Sequence, residues 1–214
     1  MAKLPEPPGV AHLQSIPPEY VTLKKGTTVW RLFCQGGTYP TDWNRLRYYG
    51  PTSSRFDHHV CCPNGKPGMG NRGIMYLAVG PDAIATCLAE FFQFSRTINR
   101  YLNKVSLTAF SLKDDLLLLN FDSHFPTRIG ASMAINTGPR PKARRWAQQL
   151  YEAYPNAQGI YYPSSMYANK PSLALFERGK DVIPDQYEFN RRLSAKGLAN
   201  TIAITASKIG YRCI

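Results

Sequence analysis

Acidic residues are scarce in this chain: 14 Asp and Glu stand against 26 Lys and Arg over 214 residues, a net charge of +12. That deficit favours acidic partners, whether nucleic acid, an anionic membrane, an acidic protein or a phosphorylated ligand, with a merely solvated basic surface as the alternative. Long apolar runs are missing too. The longest, Leu116-Leu117-Leu118-Leu119, has strand length and falls far short of the ~20 residues of a membrane span. The opening Met1-Ala2-Lys3-Leu4-Pro5 has no apolar signal core, so a cytoplasmic location is the default expectation. Cysteine is sparse and odd in number, five residues including Cys61-Cys62, which suits reduced thiols rather than a disulfide framework. His58-His59 beside that pair invites zinc, but no second ligand pair follows and no metal is expected. No helix-turn-helix, zinc-finger or aromatic RNA-binding phrase occurs, and nothing ties a cysteine to a histidine as a protease would need.

What remains is a chain with 43% hydrophobic residues, enough for one domain with a core. Residues 1–28 carry Pro5, Pro7, Pro8, Pro17 and Pro18 and read as an extended arm, because proline removes donors and fixes φ. Residues 29–214 read as the folded domain. Thr28 to Phe33, Ile74 to Val79, Val105 to Leu112, Leu116 to Phe121, Gly159 to Tyr162 and Ser172 to Phe176 read as strands. Leu198 to Ser207 reads as a weak strand, and His58 to Gly73, with its glycines and prolines, as a loop. Pro81 to about Asn99 and Pro141 to Tyr154 read as helices with proline in the first turn. Mixed strands with two or three helices predict an α+β fold.

Two phrases place an arginine in an apolar or aromatic run: Trp30-Arg31-Leu32-Phe33 and Ser54-Arg55-Phe56-Asp57. Arginine stays charged, and burying it unpaired is costly. Arg31 and Arg55 therefore either pair internally, with Glu90 or Asp57, or await an anionic ligand such as a phosphate. Glu90 falls at the border of the apolar face of the first helix, near Cys87 and Phe94, where a carboxylate reaches a cleft or solvent. Arg140-Pro141-Lys142-Ala143-Arg144-Arg145 opens the second helix with cations, the unfavourable end for positive charge. An acidic partner offsets that cost; a solvated face is the plain alternative.

With Gly73-Ile74-Met75-Tyr76-Leu77-Ala78 and Tyr161-Tyr162-Pro163-Ser164, these phrases in this order resemble the RES-domain family, from about Val29 to Phe176. The turn Ser54-Arg55-Phe56-Asp57 departs from the family's Gly-Arg-Phe-Asn, and the stretch from Arg55 to Tyr76 is long. The resemblance implies a fold similar to ADP-ribosyltransferases, a compact single domain with small mixed or antiparallel sheets flanked by helices. It implies a bacterial toxin that cleaves the nicotinamide–ribose bond of NAD by phosphorolysis or hydrolysis, neutralised by an Xre-type antitoxin, with nucleic acid reached only through that antitoxin. Homo-oligomers and secretion as an effector stay open.

Carried onto this sequence, the resemblance makes Glu90 the carboxylate that stabilises an oxocarbenium-like transition state, and Arg31 and Arg55 the phosphate clamps. Tyr76 becomes the contact for the nicotinamide ring, and Ser164 a hydrogen-bond donor to substrate. No cofactor is implied beyond NAD as substrate and inorganic phosphate as a possible co-substrate. Tyr76 as plain core and Ser164 as a turn-former are the structural alternatives. Transfer of ADP-ribose to a protein, a member that binds nucleotide without turnover, and a non-catalytic nucleic-acid-binding module are the rival functions.

Overall fold

The structure is a computed structural model and describes residues 4–214. The apolar runs become a nine-stranded mixed sheet in the order β1-β7-β8-β9-β4-β2-β6-β10, with β3 paired to β4 off this path. The strands are β1 Tyr20–Leu23, β2 Thr28–Cys34, β3 Arg47–Gly50, β4 Gly68–Val79, β6 Val105–Ser111, β7 Leu116–Asn120, β8 Gly159–Pro163, β9 Pro171–Phe176 and β10 Phe189–Arg192. A separate parallel ribbon joins β5 Thr97–Ile98 to β11 Arg212–Cys213. The helices are α1 Val10–Gln14, α2 Ala83–Phe91, α3 Phe125–Arg128, α4 Arg140–Ala153 and α5 Ala199–Ile209. This is an α+β fold with one large sheet, not several small ones.

Strand alternation sorts the core into two sides. Along β4, Ile74 and Tyr76 face the cluster built by α1, α3 and α4, whereas Met75 and Leu77 face away from it. On β2, Trp30 and Leu32 meet α2 and α5, and Val29 and Phe33 lie on the opposite side with Trp43 and Phe110. All five α-helices therefore cover one face, and the loop bearing Trp43 and the 3-10 turn that ends at Val182 and Ile183 cover the other. Trp146 of α4, fully buried, anchors the helical face, and such a side chain contributes roughly 1.5–3 kcal/mol on burial.

Four expectations change. The proline-rich segment is packed: Leu4 and Leu13 are buried, α1 lies on α4, and β1 hydrogen-bonds β7 inside the sheet. The boundary between 1–28 and 29–214 does not divide the structure, although residues 1–3 lie outside the described part. The first helix stops at Phe91 rather than near Asn99: the backbone leaves helical geometry at Phe92, and Arg96, at φ 47°, turns the chain into the β5 ribbon. Leu198 to Ser207 is helical: Leu198, Ile202, Thr205 and Ala206 fall on one buried stripe, and Gly210 at φ 68° closes α5. Part of the expected loop from His58 to Gly73 is strand, since β4 begins at Gly68.

Candidate active site

Helix α2 packs on β2, β4 and β9, and this brings Glu90 beside the loop that follows β8. Ser164, fully buried at the start of that loop, donates from Oγ to Glu90 Oε1 at 2.6 Å. Ser164 Oγ in turn accepts from the backbone N–H of Met166 and of Tyr167, each at 3.1 Å. One serine thus shapes the turn, as one of the two sequence readings has it, and spends its single hydroxyl proton on the Glu90 carboxylate, an orienting contact that neither reading anticipated. Burial raises the Glu90 carboxyl above its ordinary range, against the opposing pull of Ser164, Arg55 and Arg140.

Arg55 approaches from the turn after β3. Its Nη1 donates to the carbonyls of Gly138 at 2.6 Å and Ile135 at 3.2 Å. Arg55 acts on Glu90 through space, without ion-pair contact among the described residues. Arg140, the first residue of α4, is the second cation at Glu90. It donates to Gln93 Oε1, while Gln93 Nε2 donates to the Glu90 carbonyl at 2.6 Å. Gln93 lies one turn beyond Glu90, a spacing visible in the sequence. Arg140 lies fifty positions away in the chain, and its basic run carries no sign of which cation would reach the site.

Tyr76 is partly buried on the helical face, and its hydroxyl is buried without a hydrogen bond of ordinary geometry. Burial and the Asp57 charge hold that hydroxyl's pKa high, with Arg47 and Ser54 opposing. Tyr162, buried and edge-on to Phe56 at 4.7 Å, is likewise raised, by burial first and then by the charges of Glu90 and Tyr76. Beyond Tyr76 stands a paired network. Asp57, fully buried, accepts from Arg47 at 2.9 Å and from the Thr52 backbone and hydroxyl at 2.6 and 2.7 Å, and lies 2.5 Å from His59 Nδ1. His58 contacts Glu177 at 3.3 Å and packs at a tilt against Phe176, with ring centroids 4.2 Å apart. The partner of Asp57 is therefore Arg47, not Arg31 or Arg55. No group of three His, Cys, Asp or Glu able to hold a metal occurs among the described residues.

Arg31 does not join these residues. Strand alternation puts it with Val29 and Phe33 on the face opposite α2, where it is buried. Its Nη1 donates to the carbonyls of Trp43 at 2.7 Å and Asp42 at 3.1 Å, and its guanidinium lies 5.7 Å from the Phe33 ring. Burial lowers its pKa to about 10, opposed by the Asp42 charge. In this geometry Arg31 braces the loop before β3.

A cleft of about 700 Å³ adjoins the site, lined by residues that include Asp122, Met133, Asn136, Thr137, Pro163 and Asn169. Glu90 and Arg55 are not in its lining, but the cleft touches the neighbours of both: Pro163 precedes Ser164, and Asn136 follows Ile135. What converges on the helical face is thus a carboxylate held by a serine, flanked by two arginines and backed by two tyrosines. That constellation suits an enzyme that stabilises a developing positive charge next to a phosphate-bearing group.

The RES domain family model matches residues 28–194, and the chain belongs to that family. Among solved structures, a chain of the crystal structure of the M. tuberculosis MbcT–MbcA toxin–antitoxin complex is similar in fold, with a TM-score of 0.50 and 15% sequence identity. The match covers 85% of this chain and 90% of that one. A comparison with curated proteins finds no relative of this chain.

Proposed function

We propose that this protein is an NAD-consuming toxin that cleaves the bond between nicotinamide and ribose and is held in check by an antitoxin. The observation that carries the reading is the Glu90 carboxylate, gripped by Ser164 at 2.6 Å beneath two arginines in a member of the RES family. The toxin–antitoxin part is supported by the similar fold of a chain in the MbcT–MbcA complex.

In NAD the leaving nicotinamide is already cationic, so cleavage needs no general acid. The C–N bond breaks, its electron pair goes to the ring nitrogen, and positive charge develops on the anomeric carbon. A carboxylate fixed nearby stabilises that charge, and because Ser164 already orients it, little reorganisation is needed at the moment of reaction. Arg55 has donors beyond the Nη1 used on Ile135 and Gly138, and these suit phosphate oxygens. Tyr76 and Tyr162 supply a planar wall against which an aromatic ring packs. Arg31 holds the carbonyls of the loop before β3 on the other face of the sheet.

Purified protein incubated with NAD, with and without inorganic phosphate, tests the reading through free nicotinamide. Release that requires phosphate means phosphorolysis, and release without it means hydrolysis. No release from folded protein overturns the reading, and labelled ADP-ribose on protein replaces it with a transferase.

A further inference from the structure

The basic run that opens α4 is divided between two tasks. Arg145 makes two bonds of 2.7 Å to Glu6, and Lys142, 3.9 Å from the same carboxylate, donates to the Leu4 carbonyl at 3.1 Å. The acidic partner of these two cations is the chain's own N-terminal segment. Arg140 is not part of that arrangement. It bonds Gln93, and its guanidinium lies 4.5 Å over the ring of Phe94, an aromatic residue 74% exposed. Gln93 in turn bonds the Glu90 carbonyl and stands 3.4 Å from Glu90 Oε2. Stacking on a ring face holds a guanidinium extended while leaving its N–H edge free for an oxyanion.

Arg55 reaches the same place from the other side. Its anchor, the Gly138 carbonyl, lies two residues before Arg140; burial, and after it the charge of Arg140, lowers the Arg55 pKa, with Glu90 opposing. Neither is in an ion pair among the described residues. Two guanidiniums at a helix N-terminus beside one carboxylate leave uncompensated positive charge, a costly arrangement in empty protein that an anion relieves.

We infer that Arg55 and Arg140 together form a binding site for one phosphate group beside Glu90, with Arg140 the rim-side half of the clamp. The inference rests on the NAD-cleaving reading only for the source of that phosphate, which is either the diphosphate of the dinucleotide or free inorganic phosphate.

Calorimetric titration of inorganic phosphate and of ADP-ribose into the full chain and into Arg140→Gln tests the site without requiring turnover. The expected result is an affinity loss of about tenfold or more for at least one ligand, as befits the loss of a charge-assisted fork. A loss for phosphate alone marks an acceptor site, and a loss for ADP-ribose marks a diphosphate site. Arg140→Lys recovers only part of the loss, because an ammonium lacks the fork. Arg144→Gln, which removes the same charge from the same helix, stays within about twofold. The inference is overturned if wild type binds neither ligand, if folded Arg140→Gln binds both as wild type does, or if Arg144→Gln loses as much. Should nicotinamide release fail while Arg140→Gln still loses phosphate, the NAD reading falls and the anion site stands.

Discussion

Two carboxylates on the helical side of the sheet behave in opposite ways. Asp57 accepts bonds from Arg47, His59 and both polar groups of Thr52, and these pull its pKa well below the usual carboxylate range despite full burial. Glu90 is held by Ser164 but has no cation in contact among the described residues, and burial pushes its pKa up. The difference lies in what each environment supplies. Around Asp57 the donors are complete, as in a structural ion network. Around Glu90 two arginines stand off and their charge is unspent, so the carboxylate is best satisfied by a ligand that brings positive charge, and the arginines by one that brings negative charge. A nicotinamide riboside phosphate presents both.

The sharpest way to break this comparison is Asp57→Ala, which leaves Arg47 and His59 around an empty space. It costs about 3–5 kcal/mol of stability, read from urea denaturation, as expected when one partner of a buried pair is removed; a cost under about 1 kcal/mol would remove the structural role assigned to the network. Glu90→Gln has the reverse profile. Nicotinamide release falls by roughly 10²–10³-fold, while the melting temperature does not drop. The sign follows from linkage: a carboxyl whose folded pKa is raised contributes stability only at low pH and loses it as pH rises through the folded value, so neutralising it at pH 7 removes a burden. Full activity in folded Glu90→Gln would sink the site.

Arg31→Ala ranks third. It orphans the carbonyls of Asp42 and Trp43 and costs about 1–3 kcal/mol, again by urea denaturation. If stability stays unchanged while substrate affinity collapses, Arg31 is a clamp after all. Ser164→Ala is milder, slowing cleavage by about tenfold, the loss of one bond to a charged oxygen. Its distinguishing readout is the acid limb of kcat/KM, which moves upward because the bond that holds the Glu90 pKa down is gone.

The smallest effect is on stability against pH. Burial lowers the His58 pKa from 6.5, and hydrogen bonds from His58, Tyr151 and the Gly73 amide bring Glu177 down to about 2. In both cases the unfolded chain binds protons first as the solution acidifies. Their contributions are full at pH 7; that of His58 declines as pH falls below 6.5 and that of Glu177 as pH falls from its unfolded value through about 2. The urea midpoint at pH 5 should therefore lie below that at pH 7. An unchanged midpoint would detach His58 from the network.

Much of this molecule is written locally. Strands such as β6 and β9 are runs whose every position packs on one side of the sheet or the other, and α4 shows its stripe of Ala143, Trp146, Ala147 and Leu150 at helical spacing. The phrases that carry Arg55, Glu90 and Ser164 are legible because each is a short segment with its own chemistry. Helix α5 is masked in the sequence, because Ile202, Ile204, Thr201 and Thr205 are β-branched and favour a strand until packing against α2 decides otherwise. The strand β10, Phe-Asn-Arg-Arg, has no apolar pattern and exists because β6 offers it an edge. The prolines near the N-terminus speak for an extended arm, yet Leu4, Leu13 and the carbonyl that accepts the Trp146 N–H are bound to α4.

The family, the α+β class and the residue types of the candidate site are legible in the order of residues along the chain. Which arginine reaches Glu90 depends on packing. Arg31 sits on a strand, where a single step in register exchanges the two faces of the sheet, and those faces are distinguished only once the helices have chosen a side. Arg140 is brought within reach by the packing of α4, since charge acts through space and not along the chain.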